Sequence, residues 1–171
     1  MSHTVKMQIE LKDHDALTSA VEMMKGKVLG MGSHRLYAGT HTGFGFTLPG
    51  WKYPLVSEAK GTLAYDDFGS RWGSPADIET LKAYYAIGAA KAAAEAQGWY
   101  CEIQADNTLL IYHPDGGTLT VSKAGQIDAS GFTGPSCATA TAPIAAALGQ
   151  TIEDTQKPEY NLADQEVNTT D

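Results

Sequence analysis

The stretch Ser74–Asp77 is the strongest structural signal in this chain of 171 residues, because it combines three features of a helix N-terminus. Serine is a favoured N-cap, proline fits the first helical position, and an acidic residue in the first turn complements the exposed N–H groups. The helix is predicted to run to about Gln97, with Gly98 as its C-terminal stop. The side chains expected on its buried face become smaller toward the C-terminus. They are Ile78, Leu81, Tyr85, Gly88, Ala89, Ala92 and Ala96.

Strand patterns flank this helix on both sides. Residues 4–11 alternate between apolar and polar side chains, and a shorter helix follows with Asp13 as its N-cap. Further strands are predicted at 27–37, near 42–48, 53–57 and 61–66, and as a meander after Gly98. The order predicts an α+β fold, in which a mainly antiparallel sheet of five to seven strands carries two or three helices on one face. A ferredoxin-like or related arrangement fits this order.

Charge and composition exclude several classes of partner. The formal net charge is −8, and residues 151–171 carry six of the acidic side chains against Lys157 alone. Because the chain has no Lys/Arg cluster, we expect neither a polynucleotide nor an anionic membrane as partner, whereas a small phosphorylated molecule needs only one or two cations. The chain has no apolar run of about 20 residues and no signal-peptide core, so we expect a cytoplasmic protein with reduced cysteines.

The sequence offers little support for catalysis or metal binding. The five histidines lack the spacings of metal sites, so we expect no metal and no cofactor. His41-Thr42 does not match the paired histidine motif of phosphoesterases. Cys137 follows Ser136 at a predicted helix start, where a thiolate is favoured, but packing of Cys137 as a small apolar residue explains the position more simply. We therefore expect no enzymatic activity.

Residues 34–72 form the most promising binding region, since three cations, Arg35, Lys52 and Arg71, alternate there with aromatic rings. Rings and guanidinium groups together suit a nucleotide base and phosphate, although Asp66-Asp67 would repel a phosphate. Aromatic residues between glycines also plug the ends of small sheets, and a protein-docking surface has a similar composition. A Gly-rich turn with Thr133 and Ser136 could hold a phosphate through backbone N–H groups. The predicted ligand contacts are His34, Arg35, Tyr37, His41, Phe44, Trp51, Tyr53, Arg71, Trp72, Thr133 and Ser136.

A resemblance concerns the C-terminal third of the chain. The element Gly131–Cys137 has the form Gly-Phe-x-Gly-x-Ser-Cys, and an alanine-rich segment and Lys157–Tyr160 follow it. This pattern resembles a small bacterial family of unknown function. The resemblance covers residues 118–162 and implies two strands followed by a helix over 136–148, which Pro143 should kink or restart. A ββα piece of this size needs a larger domain to dock on, and it is expected to extend that domain's sheet.

The N-terminal part has a second resemblance. The opening Met1–His3, the segments 54–56 and 63–66, and Tyr84-Tyr85 in the long helix occur in a consistent order. They resemble a chloroplast and cyanobacterial Met-Ser-His family of hypothetical proteins, over residues 1–120. We therefore predict an α+β domain at 1–117, a docked ββα module at 118–162 and a disordered acidic tail at 163–171. The two families occur as neighbouring separate proteins, so their combination in one chain implies that they belong to one complex. Their relatives also lie beside AAA-type ATPases, which the resemblance implies as the partner of an adaptor.

Three functions remain open at the level of the sequence. The first is a non-catalytic protein that binds or sequesters a small nucleotide-like ligand at the aromatic and arginine-rich region. The second is an adaptor or assembly subunit for an AAA-type ATPase or another protein complex. The third is an enzyme that uses Cys137 or a histidine, and it has the least support. The small residues of the long helix also suggest close packing in a homo-oligomer, with the C-terminal module paired within its own chain or swapped onto a neighbour.

Overall fold

The described part of the protein, residues 3–133 and 136–156 of a computed structural model, contains three helices and two antiparallel sheets. In chain order the elements are β1 (His3–Ile9), α1 (His14–Met23), β2 (Lys27–Arg35), β3 (Thr40–Thr47), β4 (Leu55–Ser57), β5 (Leu63–Ala64), α2 (Pro75–Ala96), β6 (Tyr100–Ile103), β7 (Leu109–Tyr112), β8 (Thr118–Val121), β9 (Gln126–Ser130), α3 (Ser136–Leu148) and β10 (Gly149–Gln156).

The chain divides into two compact units. One consists of Met1–Ile9 with Ala89–Asp171, and the other is the continuous segment Glu10–Gly88. The border between them falls inside α2, so the first part of this helix belongs to the continuous unit and the last part to the other. We refer to Glu10–Gly88 as the inserted unit, because it interrupts the chain of the other, which we call the outer unit.

The outer unit is built on a six-stranded sheet with the order β10-β1-β9-β8-β7-β6. Alternate side chains along β7, β8 and β9 are fully buried, as expected for strands that cover a core on one face. Helix α3 packs against β1, β9 and β10 and buries Cys137, Ile144 and Leu148. The two terminal parts of the chain therefore meet in one sheet, in which β1 lies between β9 and β10.

The inserted unit is built on a four-stranded sheet with the order β2-β3-β4-β5. Helix α1 begins at the predicted cap, since the Asp13 carboxylate accepts hydrogen bonds from the backbone N–H groups of Asp15 and Ala16. The helix packs on this sheet, where the Phe44 ring stacks on His14 with 4.6 Å between ring centroids. The loop between β2 and β3, the segment between β3 and β4, and the segment between β5 and α2 carry the candidate site described below.

The α+β class predicted from the sequence is confirmed, although the strands form two sheets where one was expected. The reason is the position of β1, which pairs with β9 and β10 on its two sides and so leaves no edge for β2. The strands after residue 117, which the sequence assigns to a docked module, lie in the same sheet as β1 and β7. The predicted ββα module also continues into a further strand, β10, which the sequence pattern did not indicate.

The predicted buried face of α2 is correct at Ala89 but wrong at Ala92 and Ala96. Ala92 and Ala96 are not in the core, whereas Ala86, Ala90 and Ala94 are buried. Positions 86–96 are mostly alanine, so the signal for the exposed side of the helix is the pair Lys91 and Glu95, one helical turn apart. Ala92 and Ala96 each follow one of these two residues directly in the sequence and are exposed with them.

Two smaller expectations concern the chain after residue 130. Helix α3 continues through Pro143 from Ser136 to Leu148 without restarting. The predicted disordered tail at 163–171 lies outside the described residues. Within the described ranges, no helix combines the length and the apolar character that a membrane span requires.

Candidate functional site

The rings of Tyr37, Tyr53, Phe68 and Trp72 meet in the loops of the inserted unit, and two cations lie over them. We call these four residues, together with Lys52 and Arg71, the aromatic cluster. It brings together four of the predicted ligand contacts, Tyr37, Tyr53, Arg71 and Trp72. The predicted set omits Lys52 and Phe68, although both lie in the same aromatic-rich stretch of the sequence.

Backbone hydrogen bonds hold three chain segments together at this cluster. The backbone N–H of Lys52 donates to the carbonyl oxygen of Trp72 over 2.8 Å, and the Trp72 N–H donates to the Asp67 carbonyl oxygen over 2.8 Å. The Asp66 carboxylate accepts from the backbone N–H groups of Tyr37 at 2.8 Å and Ala38 at 3.2 Å. Asp66 therefore fixes the loop after β2, and these two donors offset part of the repulsion that its charge would exert on a phosphate.

Trp72 is the centre of the cluster. Its ring and that of Phe68 are stacked, with centroids 4.4 Å apart and planes inclined by 18°. The rings of Tyr37 and Tyr53 approach the same indole at 4.9 Å and 5.3 Å, but at steep angles of 56° and 65°. One ring is thus stacked on Trp72 while two others meet it at steep angles, and aromatic quadrupoles favour both kinds of contact.

Both cations of the cluster lie against ring faces. The Lys52 ammonium is 4.9 Å from the Trp72 centroid and 5.8 Å from that of Tyr53, while the Arg71 guanidinium is 5.6 Å from the Phe68 centroid. Cation–π attraction at such distances restrains a side chain without removing its charge from water. Both side chains are exposed, so their charges remain available to an anionic ligand.

The turn that carries Phe68 has a strained backbone. Phe68, Gly69 and Ser70 have φ angles of 45°, 60° and 72°, which places three consecutive residues in the left-handed region. Only Gly69 adopts this region without a steric penalty. The Phe68 side chain is also 54% exposed, an unusual environment for a large apolar group. Strain of this kind in a surface turn is more often found at functional sites than elsewhere.

Trp51, a predicted ligand contact, has a structural role beside the cluster. Its indole N–H donates to the Asp77 carboxylate at 3.0 Å, and its ring packs on the backbone at Gly73. The Tyr65 ring meets it edge-on at 5.9 Å. These contacts tie the start of α2 to the loop after β3 and so support Lys52 and Tyr53 from behind.

The predicted contacts on β2 and β3 lie along the four-stranded sheet rather than among the rings of the cluster. His34 and His41 are direct cross-strand partners. A His34 ring nitrogen, Nε2, donates to the Gly30 carbonyl oxygen at 2.9 Å, while His41 Nδ1 lies 3.6 Å from a Glu58 oxygen. Phe44 is buried and Arg35 is exposed at the end of β2. Among the described residues, no group of three or more His, Cys, Asp and Glu side chains could hold a metal ion.

Thr133 and Ser136, the last two predicted contacts, belong to the outer unit. The Ser136 hydroxyl donates to the Thr133 carbonyl oxygen at 2.7 Å, which closes the turn before α3. Residues 134 and 135, the centre of the predicted phosphate-binding turn, lie outside the described residues. Phe132 is 2% exposed, and its ring packs on Gly117 and on His113. The described residues of this turn therefore serve to anchor α3 to the sheet.

The cysteine considered as a nucleophile is inaccessible. Cys137 has no solvent exposure, and burial raises the pKa of its thiol. Thr141, one helical turn further on, is also buried and donates its hydroxyl hydrogen to the Cys137 carbonyl oxygen at 2.6 Å. Cys101 is half-buried in β6, and burial, followed by the charge of Glu95, raises the pKa of its thiol as well. Neither thiol has the lowered pKa that marks a reactive cysteine.

Comparison with known proteins covers the C-terminal part of the chain alone. Residues 118–161, about a quarter of the chain, match a family described as "Protein of unknown function (DUF2997)". No curated protein and no solved structure gives a significant match. The expected C-terminal region of unknown function is thus confirmed, and the chain is similar to this family over β8, β9, α3 and β10. The aromatic cluster lies entirely outside the matched residues.

Proposed function

We propose that this chain is a non-catalytic binding protein that holds a small nucleotide-like ligand at the aromatic cluster. The observation that carries the proposal is the convergence of four aromatic rings and two exposed cations, from three separate loops, on one surface of the inserted unit. A planar base and an anionic phosphate need these two kinds of group at one place.

The energetics favour a small ligand over a polynucleotide. Stacking of one base on an aromatic side chain contributes roughly 1–3 kcal/mol, and each exposed cation adds a contact to one phosphate. The cluster provides one Trp, one Lys and one Arg at its centre, and the rest of the chain has a strong excess of acidic residues. A long phosphate backbone needs many cations and the sequence has no Lys/Arg cluster to supply them, whereas a mononucleotide needs only one or two.

The non-catalytic part of the proposal rests on the environment of the candidate reactive groups. Cys137 is buried, and the ring nitrogens of His34 and His41 lie beside Gly30 and Glu58 rather than at the aromatic rings. Sequestration of a ligand requires no acid, base or nucleophile. We accordingly propose binding without turnover, in the cytoplasm.

A thermal-shift screen against mono-, di- and cyclic nucleotides and small phosphates tests the proposal. A ligand present at about 100 times its Kd adds roughly 2.7 kcal/mol of stability, which raises the Tm by several degrees. We expect Trp72→Ala to abolish the shift and Lys52→Ala to reduce it. Arg35→Ala is the matched control, because it removes the same charge from an exposed position outside the ring contacts, and it should retain the shift. A screen without any shift would contradict the proposal.

A second function, as an adaptor or assembly subunit, has support from the surface of the outer unit. Tyr100 and Tyr112 are paired across β6 and β7 and are exposed by 66% and 39%, with ring centroids 5.6 Å apart, and Ile103 on β6 is exposed by 52%. Exposed apolar groups of this kind are typical of protein-docking surfaces. The resemblance of residues 1–120 to the Met-Ser-His family suggests an AAA-type ATPase as the partner.

Copurification tests the adaptor function. We expect an AAA-type ATPase encoded beside this protein to bind the wild-type chain and to lose binding when Tyr100 and Ile103 are changed to Ser. Changes at Tyr37 and Phe68, which are similarly exposed, are the matched controls and should leave the complex intact. Sedimentation of the isolated protein at several concentrations would test the proposed homo-oligomer.

A further inference from the structure

We infer that Phe68 occupies, on the Trp72 ring, the position that the planar ring of the ligand takes in the complex. In the bound state the ligand would stack on Trp72 with its anionic group at Lys52, and Phe68 would move away together with Arg71. The inference rests on the proposed function and adds to it the stacking surface, the anion contact and a competing residue.

The stack of Phe68 on Trp72 has the geometry of a bound nucleobase. The two rings are nearly parallel, with 18° between their planes and 4.4 Å between their centroids. This is the arrangement that a nucleobase adopts on an aromatic side chain. The 4.4 Å spacing leaves no room for a third ring, so a ligand can stack on that face of Trp72 only if Phe68 leaves it.

Phe68 differs from the other rings in its angle to Trp72. Tyr37 and Tyr53 meet the Trp72 indole at 56° and 65°, so neither is stacked on it as a parallel layer. They also lie close to each other, with centroids 6.2 Å apart. A planar ligand that replaced Phe68 would therefore take over the one parallel stack on Trp72, and these two rings would not need to leave.

Trp72 is fixed through its backbone, whereas Phe68 is strained. The backbone of Trp72 is bonded in both directions, through its N–H to Asp67 and through its carbonyl oxygen to Lys52. Phe68 is 54% exposed and belongs to the three-residue left-handed segment that ends at Ser70. L-residues other than glycine disfavour that backbone conformation, so the turn is strained. The stacking of Phe68 on Trp72 offsets this strain. The turn is thus the part of the cluster that can open.

Lys52 is the cation placed to contact the anionic group of the ligand. Its ammonium contacts the rings of Trp72 and Tyr53, so it stays at the Trp72 indole when Phe68 moves. Arg71 lies over Phe68 itself and belongs to the same turn, so it would move with that ring. A ligand with a ring on Trp72 and a phosphate a few ångströms away would place the phosphate at Lys52.

The test is a calorimetric titration of the four ribonucleoside 5′-monophosphates into the wild-type protein and the Phe68→Ala, Phe68→Gly and Trp72→Ala variants. Both Phe68 variants lack the ring that competes with the ligand for Trp72. Their affinity for the ligand should therefore be about three- to tenfold higher, which corresponds to the usual strength of an aromatic pair. Both variants lack the ring, but only Phe68→Gly also relieves the backbone strain at residue 68. Equal dissociation constants for the two variants would therefore show that the effect comes from the ring and not from the strain. Trp72→Ala should abolish binding. Tyr100→Ala, an exposed aromatic residue outside the cluster, should match the wild type.

A second titration addresses Lys52. We expect Lys52→Gln to weaken binding of the monophosphates about tenfold, because the variant loses the positive charge that contacts the phosphate. Binding of the free nucleosides should be unchanged, because they have no phosphate. Lys60→Gln is the control for loss of a surface charge. Equal loss for nucleosides and monophosphates would overturn the assignment of the anion contact.

The outcomes separate this inference from the proposed function. Binding to the wild type that is unchanged or weaker in both Phe68 variants would overturn the inference and leave the proposed function standing. Binding to the Phe68 variants alone would support the inference, because it would show that the ring blocks the site. Absence of binding to the wild type and to both Phe68 variants would overturn both.

Discussion

Gly73 lies directly behind the Trp51 indole, at the start of α2. A Cβ atom at this position would overlap with the Trp51 ring, whereas Gly88, in the middle of the helix, has no side-chain or distant backbone atom within 4 Å of its Cβ position. We expect Gly73→Ala to lower the free energy of unfolding by about 1–3 kcal/mol, because the ring must shift from its place on the backbone.

Gly88→Ala is the control for this change. It should raise the free energy of unfolding by about 0.5–1 kcal/mol through helix propensity. Urea unfolding of both variants measures the two effects. A Gly73→Ala protein as stable as the wild type would show that Trp51 does not pack on this backbone.

The two thiols differ in accessibility, which gives a second prediction at the residue scale. Cys137 is completely buried in α3, and Cys101 is half-buried in β6. In the folded protein we expect a thiol reagent such as 5,5′-dithiobis(2-nitrobenzoate) to react slowly with Cys101 and not with Cys137. After denaturation both cysteines should react. The Cys101→Ser variant should show no reaction while folded. Rapid labelling of Cys137 in the folded protein would revive the hypothesis of a reactive cysteine.

Tyr85 links the two helices of the inserted unit. Its buried hydroxyl oxygen accepts a hydrogen bond from the backbone N–H of Asp13, the N-cap of α1, at 3.0 Å. Tyr85→Phe leaves that N–H without this acceptor, and we expect it to lower the free energy of unfolding by about 1–2 kcal/mol at neutral pH.

The same residue gives a prediction about alkaline pH. Burial raises the pKa of Tyr85 above its ordinary value of about 10. The folded state therefore keeps the phenol proton over a range in which the unfolded state loses it, so this contribution to stability is complete below about pH 10 and falls above it. The difference in stability between the wild type and Tyr85→Phe should shrink above about pH 10, as measured by urea unfolding at a series of pH values. A constant difference up to about pH 12 would contradict this interpretation.

Strand β10 closes one side of β1 along its whole length, from His3–Gln156 to Ile9–Gly149. A protein that ends at Leu148 would expose this side of β1, and it would lose backbone hydrogen bonds that contribute roughly 0.5–1.5 kcal/mol each. We expect the free energy of unfolding to fall by more than about 3 kcal/mol, measured by chemical denaturation. A chain that ends at Leu162 removes only the segment predicted to be disordered and should keep its stability. Equal stability of both truncations would contradict the role of β10.

The elements that the sequence predicted well are those with local signals. Asp13 at the cap of α1, Pro75 at the start of α2 and the alternation of buried and exposed side chains along β1 depend on neighbours in the chain, and each is found as expected. The elements that it missed depend on distant partners. β10 has two acidic residues and little apolar character, so its strand conformation comes from pairing with β1 at the other end of the chain.

The same distinction applies to the candidate site. The sequence identified the region around Tyr37, Tyr53 and Trp72 by composition, but composition cannot tell which of its rings touch. Trp51 and Trp72 are equivalent by that criterion, yet only Trp72 is at the centre of the cluster, since Gly73 and Asp77 hold Trp51 elsewhere. Lys52 and Phe68 are assigned to the cluster by their short distances to the Trp72 ring, which cannot be derived from the spacing of residues in the sequence.

At the scale of the whole molecule, the family match and the candidate site lie in different units. The residues that match a family of unknown function belong to the outer unit, and the aromatic cluster belongs to the inserted unit. A ligand that binds at the cluster should therefore change the NMR signals of residues 10–88 more than those of the outer unit. The three tryptophans suit this question, because Trp51 and Trp72 belong to the inserted unit and Trp99 to the outer one.

The most direct measurement is a titration of the ¹⁵N-labelled protein with ribonucleoside 5′-monophosphates, followed through the indole N–H signals of these three residues. We predict a saturable change in the chemical shift of Trp72, a smaller change for Trp51, and none for Trp99. The same titration of Trp72→Ala should leave the signals of Trp51 and Trp99 where they are. A Trp72 signal that stays unchanged at millimolar nucleotide would contradict the claim that the aromatic cluster binds a nucleotide-like ligand.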